Sequence, residues 1–251
     1  MENRQIIFDQ FVREFSSNKH AKEYFYSRGL SNCLIDDNLI GFCPVQSRYQ
    51  FSLLRGRLIV PIHDIYGNII AMAGRQISSL KDAVVDSFWD TFSEEPSKCR
   101  DRISKWEKGK WINEPYQKTK NLFLLNKTKK YVAEKNYIIL VEGYFDALSF
   151  YDNGVKNVSA ICGTSISDYQ ISLALRYCDN ICILMDSDNP GKIASSNIAQ
   201  KIDNLGAKYL KIFLPLGYDP DDFSQKYDIS FFDSTIENML KNNKSELHIG
   251  T

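Results

Sequence analysis

Two short apolar runs, Tyr137-Ile-Ile-Leu-Val141 and Ile181-Cys-Ile-Leu-Met185, break abruptly into acids. The first runs into Glu142-Gly143-Tyr144-Phe145-Asp146 and the second into Asp186-Ser187-Asp188. Runs of this length, apolar at every position and bounded by turn residues, are the pattern of strands buried on both faces, as in a parallel sheet. Around them the pattern alternates. It predicts helix over 145–151, strand over 158–162, helix over 168–177, strand over 181–185, helix over 193–205 and strand over 209–214. Strands alternating with helices argue a parallel α/β sheet, and such sheets place their sites at the carboxyl ends of the strands. Beyond Leu214 a further acidic loop, Pro215-Leu-Gly-Tyr-Asp219-Pro-Asp221-Asp222, leads into amphipathic helical sequence and then a polar tail, expected to be frayed from about Lys241.

The first half reads differently. Phe8, Phe11, Val12 and Phe15 share one helical face, Ala21, Tyr24 and Phe25 share a second after a polar break, and Gly29 closes that helix. A short helix over 31–38 precedes a strand at 40–44. Two β-rich segments, 53–62 and 69–76, flank Gly67-Asn68, a hairpin signal. Residues 78–108 are mostly polar, with Phe88, Trp89, Phe92, Ile103 and Trp106 as apolar islands, and read as an inserted, largely helical excursion. A short extended segment follows at 110–115. The expected organisation is therefore a basic subdomain over 1–135 with an insertion at 78–108, an α/β subdomain over 136–216, and an acidic loop with a helical segment over 217–251.

With 251 residues and 43% apolar content, the chain can bury a real core. No stretch approaches the roughly 20 apolar residues of a membrane span. No signal-peptide pattern follows Met1, so a cytoplasmic location and no membrane partner are expected. The six cysteines, Cys33, Cys43, Cys99, Cys162, Cys178 and Cys182, form no Cys-x-x-Cys pair and have no histidine nearby. Structural zinc is therefore not expected, and the cysteines read as reduced, buried thiols. Net charge is zero, but residues 1–135 carry 22 Lys and Arg against 16 Asp and Glu, while 136–251 carry 9 against 15. A basic half joined to an acidic half suits a polyanionic ligand held by one and worked on by the other.

Glu142 ending one buried strand and Asp186 and Asp188 ending another would meet at one sheet edge, where clustered carboxylates repel unless cations sit between them. Hard oxygen donors of this kind suit Mg²⁺ or Mn²⁺. The bland alternative is that strand-end acids cap the following helices. Arg55, Arg57 and Arg75 fall on β-type segments beside Gly56 and Gly74, where a ligand could approach closely. Exposed strand arginines also serve simply as edge protection. Pro190-Gly191-Lys192 looks like the end of a phosphate-binding P-loop, but Asp186 stands where that motif needs glycine.

Val141-Glu-Gly-Tyr-Phe-Asp146, Gly163-Thr-Ser165, Asp186-Ser-Asp188 and Asp219-Pro-Asp221, in this order and spacing, resemble the Toprim domain of bacterial DnaG-type primases. Ala21-x-x-Tyr24-Phe25-x-x-Arg28-Gly29-Leu30, Gly41-Phe42-x-Pro44, Arg55-Gly-Arg57-Leu-Ile-Val-Pro61-Ile62-x-Asp64-x-x-Gly67 and Gly74-Arg75 are similar to the basic subdomain that precedes Toprim in those primases. Lys110-Trp-Ile-Asn113-x-Pro115 resembles the family's Lys-Tyr-Leu-Asn-Ser-Pro. Trp111 and Glu114 are departures, the latter adding an anion beside an expected nucleic-acid contact. The family's upstream zinc-binding and downstream helicase-binding domains have no counterpart here, so the chain looks like a bare catalytic core.

The resemblance implies an α/β fold made of an α+β N-terminal subdomain, a parallel Toprim sheet and C-terminal helices. It implies RNA primer synthesis from NTPs on a single-stranded DNA template, with Mg²⁺ or Mn²⁺. Glu142, Asp146, Asp186 and Asp188 would be catalytic, and Glu142, Asp186, Asp188, Asp219 and Asp221 would hold metal. Arg55, Arg57, Arg75, Lys110 and Asn113 would grip template or triphosphate, with Tyr49, Phe51 or Trp111 as stacking candidates. A replicative helicase, or a separate zinc-binding, template-selecting protein, would be a further partner in a bacterial or phage-infected cell. Two rival classes share the Toprim carboxylates: a metal-dependent nuclease and a non-catalytic DNA-binding recombination factor.

Overall fold

The computed structural model describes residues 3–163 and 165–250, so Thr164 of the Gly163-Thr-Ser165 motif lies outside the described residues. The chain forms two compact units, one of residues 1–63 and 68–116, the other of 64–67 and 117–251.

The first unit opens with helix α1 (Arg4–Ser17), whose Phe8, Phe11 and Phe15 recur at helical spacing and are buried. Asn18 ends α1 and begins α2 (Lys19–Ser27), its side chain accepting from Ala21 N–H at 2.9 Å. Helix α3 (Asn32–Asp36) leads to an antiparallel sheet in the order β1 (Gly41–Cys43), β2 (Arg57–His63), β3 (Ile69–Gln76), β4 (Trp111–Asn113). Between β3 and β4 run α4 (Lys81–Thr91) and α5 (Pro96–Lys108), which make the 78–108 segment helical as expected. Its aromatics mostly pack: Phe88 and Trp106 are fully buried and Trp89 is 39% exposed.

The first α-helix of the second unit is α6 (Leu125–Lys135). An all-parallel sheet follows, in the order β6-β5-β7-β8-β9, from β5 (Tyr137–Val141), β6 (Val158–Ala160), β7 (Asn180–Leu184), β8 (Lys208–Phe213) and β9 (Glu246–His248). The helices are α7 (Tyr144–Asp152), α8 (Asp168–Ala174), α9 (Asn189–Asn204), α10 (Pro220–Lys226) and α11 (Phe232–Lys241). Strand β5 is buried along its whole length, and Ile138, Leu140, Ile181 and Ile183 meet Leu125, Val132, Ile171 and Ile198 in the core.

Two expectations need correction. The frayed tail is instead strand β9, held on β8 by an ion pair between Lys211 and Glu246, by His248 stacked 4.7 Å from Phe213, and by buried Leu247. Three residues are too few for a periodicity signal. Helix α9 starts four residues earlier than expected, because Asp188 caps it and Pro190 suits the first turn, where a missing N–H costs nothing.

Candidate active site

The carboxyl edge of the parallel sheet carries the acids. Glu142 directly follows β5, Asp186 follows β7 by two residues, and Asp219 lies between β8 and α10. Three ladder-like contacts tie their loops together: Cys162 N–H donates to the Glu142 carbonyl at 2.9 Å, Ser187 N–H to the Tyr218 carbonyl at 3.2 Å, and Gly217 N–H to Ser187 Oγ at 3.0 Å. Gly191 is demanded by this packing, since a Cβ there would lie 2.2 Å from the Asp186 carbonyl oxygen.

Three of the acids do cap helices. Asp188 accepts from Gly191 N–H at 2.7 Å, Asp219 from Asp222 N–H at 2.7 Å, and Asp146 from Gly143 N–H at 2.8 Å. Asp146 is held at the start of α7 by its bond from Gly143 N–H, whereas Glu142 lies before that helix. A cap uses one carboxylate oxygen, and the other retains acceptor capacity.

Capping does not relieve the crowding of charge. Desolvation, then the charges of Asp186, Asp219 and Asp221, push the Asp146 carboxyl up to about 8 against the pull of the Gly143 N–H. Desolvation and the charges of Glu142, Asp219, Asp188 and Asp222 push Asp186 up to about 6. Glu142 is raised by desolvation and then by Asp188. Among the described residues no three Asp, Glu, His or Cys side chains converge closely enough to enclose a metal ion as they stand. The donor set is all oxygen, anionic and mutually repelling, which is the chemistry a hard divalent ion answers.

Asp221 departs from expectation. It is 2% exposed, and its carboxylate accepts from Ser149 Oγ on α7 and from Gln225 Nε2 at 2.6 Å.

In the first unit the expected basic grip divides. Arg57 is 0% exposed, with Nε donating to the Leu53 carbonyl, Nη1 to the Gly109 and Gly74 carbonyls and Nη2 to the Trp106 carbonyl, at 2.8–3.2 Å. Arg55 is 6% exposed and donates to the Ser47 carbonyl, to the Ser87 carbonyl and hydroxyl, and to the Thr91 hydroxyl. Their guanidinium carbons lie 5.0 Å from the Trp106 ring and 5.6 Å from the Phe88 ring. Burial pushes Arg57 down to about 9. Both arginines thus clamp the α4–α5 hairpin to the sheet rather than face a ligand. Gly74 is what lets Arg57 lie flat, since a Cβ there would be 2.9 Å from Arg57 Cδ.

Arg75 is different. It pairs in register with Trp111 across β3 and edge strand β4, its guanidinium 5.7 Å from that ring and its Nε donating to the Tyr24 hydroxyl at 2.8 Å. Lys110 is exposed, and Trp111 and Asn113 are half-buried beside it. Glu114 turns inward, accepting from Met72 N–H at 2.8 Å and from the Tyr49 hydroxyl, with Arg4 at 3.5 Å. It is therefore not an added anion on the strand's open side, and Tyr49, now largely buried, is its partner rather than a stacking platform. Ser149 was not singled out from the sequence, and an isolated serine carries no periodicity or spacing that could have flagged it.

Residues 139–224 match the Toprim-like family. The DNA primase of Aquifex aeolicus is 31% identical over 251 aligned positions, covering 88% of this chain and 45% of that protein. A solved DnaG catalytic core superposes with a TM-score of 0.74 at 22% identity, covering 93% of this chain and 78% of that one. A DnaG primase catalytic domain bound to single-stranded DNA gives a TM-score of 0.68 at 22% identity, over 96% and 79% of the two chains. The chain spans less than half the length of the curated DNA primases that head its relatives. In sequence and in fold together, its similarity is to the catalytic core of DnaG-type DNA primases.

Proposed function

We propose that this chain is the primer-synthesising core of a DnaG-type primase, joining ribonucleotides on a single-stranded DNA template. The observation that carries the reading is the gathering of Glu142, Asp186, Asp188 and Asp219 in loops at the carboxyl edge of the parallel sheet, within a fold shared with DnaG catalytic cores. Glu142, Asp186, Asp188 and Asp219 are the side chains that would hold Mg²⁺ or Mn²⁺. Such an ion, when bound, neutralises triphosphate charge and lowers the cost of bringing two polyanions together.

The remaining work falls to the protein's own groups. Glu142, half-buried with its carboxyl raised by desolvation and then by Asp188, is suited to take the proton of an attacking 3′-hydroxyl. Asp188 is exposed at the start of α9 and can meet a ligand with little rearrangement. Arg75 and Lys110 offer cations and Trp111 a ring face on an edge strand, which suits a single strand tracked by charge and stacking. Asn113 adds amide hydrogen-bonding capacity on the same strand. NTPs and a template strand are the implied substrates, and a replicative helicase or a template-selecting protein is the implied partner.

The test is incubation with single-stranded DNA, labelled NTPs and Mg²⁺ or Mn²⁺. Metal-dependent oligoribonucleotides are expected. DNA fragments would instead indicate a Toprim nuclease, and binding without either product a DNA-binding factor.

A further inference from the structure

Resting on the divalent-ion reading of the carboxylate edge, we infer that Asp221 is a positioning residue rather than an ion ligand, and that Ser149 is its anchor. The two acids of Asp219-Pro220-Asp221 occupy the N-cap and the second helical position of α10. At about 100° per residue they project roughly 200° apart around the helix axis. Asp219 caps the start of α10, accepting from Asp222 N–H at 2.7 Å, while Asp221 is buried and turns into the protein.

There Asp221 meets α7. Ser149 is 1% exposed and donates its hydroxyl to Asp221 Oδ1, which Gln225 Nε2 also reaches at 2.6 Å. Ser149 lies three residues beyond Asp146, so the two share one face of α7. One end of that face carries Asp146, bonded to Gly143 N–H, and the other packs on α10, whose first residue follows Asp219. The Ser149–Asp221 contact thus sets the separation between acids borne on two different helices. Removing a buried carboxylate from water is costly, and a structural contact alone would be served as well by uncharged groups. Groups that orient ion-holding side chains commonly change ion affinity when removed, even though they never touch the ion.

The experiment is calorimetric titration of Mn²⁺ into the wild-type chain and into D221N, S149A and D219N, with thermal unfolding of each. D221N keeps an oxygen for Ser149 to donate to, so it should bind the wild-type number of ions with affinity within about threefold. S149A should keep the number of ions and weaken affinity about tenfold. D219N should lose an ion or bind far more weakly than either. The inference is overturned if D221N loses an ion, which would make Asp221 a ligand. It is equally overturned if S149A lowers only the unfolding temperature and leaves Mn²⁺ affinity unchanged, which would make the contact purely structural. Absence of Mn²⁺ binding by the wild-type chain would remove the divalent-ion reading itself, an outcome distinct from both.

Discussion

Ser187 N–H donates to the Tyr218 carbonyl at 3.2 Å, which fastens the loop carrying Asp186 and Asp188 to the loop carrying Asp219. Gly217 N–H completes the clasp on Ser187 Oγ at 3.0 Å. Ser187→Ala removes the acceptor of a part-buried N–H and should cost about 1 kcal/mol. An unfolding temperature lowered by about 2–4 °C is the expected reading, and an unchanged value would show that the main-chain bond suffices.

Glu142→Gln removes one charge from a repelling set while keeping shape. Primer synthesis should fall by orders of magnitude, and the metal-free protein should unfold at the same or a slightly higher temperature. Wild-type synthesis by this variant would take Glu142 out of the chemistry.

The raised carboxyls give stability a definite pH dependence. Asp146 titrates near 8 and Asp186 near 6 in the folded protein, above the usual 3.8. Between those values the folded chain binds more protons than the unfolded one, so their contribution is complete below the unfolded pKa and is lost as pH rises through the folded pKa. Metal-free protein should therefore lose unfolding temperature from pH 5 to about pH 8. Mn²⁺ should restore more at the upper end. Thermal scans across that range, with and without Mn²⁺, are the check. A flat metal-free profile would mean that the acids do not crowd one another.

Arg57 and Arg75 should separate cleanly. Arg57→Ala strips donors from several carbonyls and should cost about 3 kcal/mol or more. Arg57→Lys should not rescue it, because one ammonium cannot fill a planar fork. Arg75→Ala should leave unfolding nearly unchanged while weakening single-stranded DNA binding and reducing its salt slope by about one. Unfolding curves and salt titrations of binding decide, and an unchanged slope for Arg75→Ala would return that residue to a structural role.

The inserted excursion read from the sequence at 78–108 suggests a deletion of residues 79–107. The hairpin supplies Ser87, Thr91 and the Trp106 carbonyl to two buried guanidiniums. The deletion should therefore unfold the first unit, seen as loss of its hydrogen-exchange protection. Protection that survives would show that water replaces those partners.

What was legible in the sequence follows from burial. Strands β5 and β7 are apolar at nearly every position because both faces are covered, so their ends, and the acids placed there, could be found without coordinates. Arg57 could not. A guanidinium beside glycines reads as a ligand contact, and only the return of α5, some fifty residues later, provides the carbonyls it serves. Glu114 failed likewise, its partners Tyr49 and Arg4 lying far back in the chain. Asp221 looked equivalent to Asp219, and only the packing of α7 against α10 distinguishes them.

Asp188 and Asp219 each hold up a helix as well as facing the charged edge. A descendant of this chain released from selection for chemistry would still favour Asp, Asn, Ser, Thr or Gly at both positions, because most other residues forfeit about 1 kcal/mol with the cap. Decay of activity would accordingly be written there as Asp to Asn or Ser, a narrow drift that preserves the outline of the site long after its charge has gone.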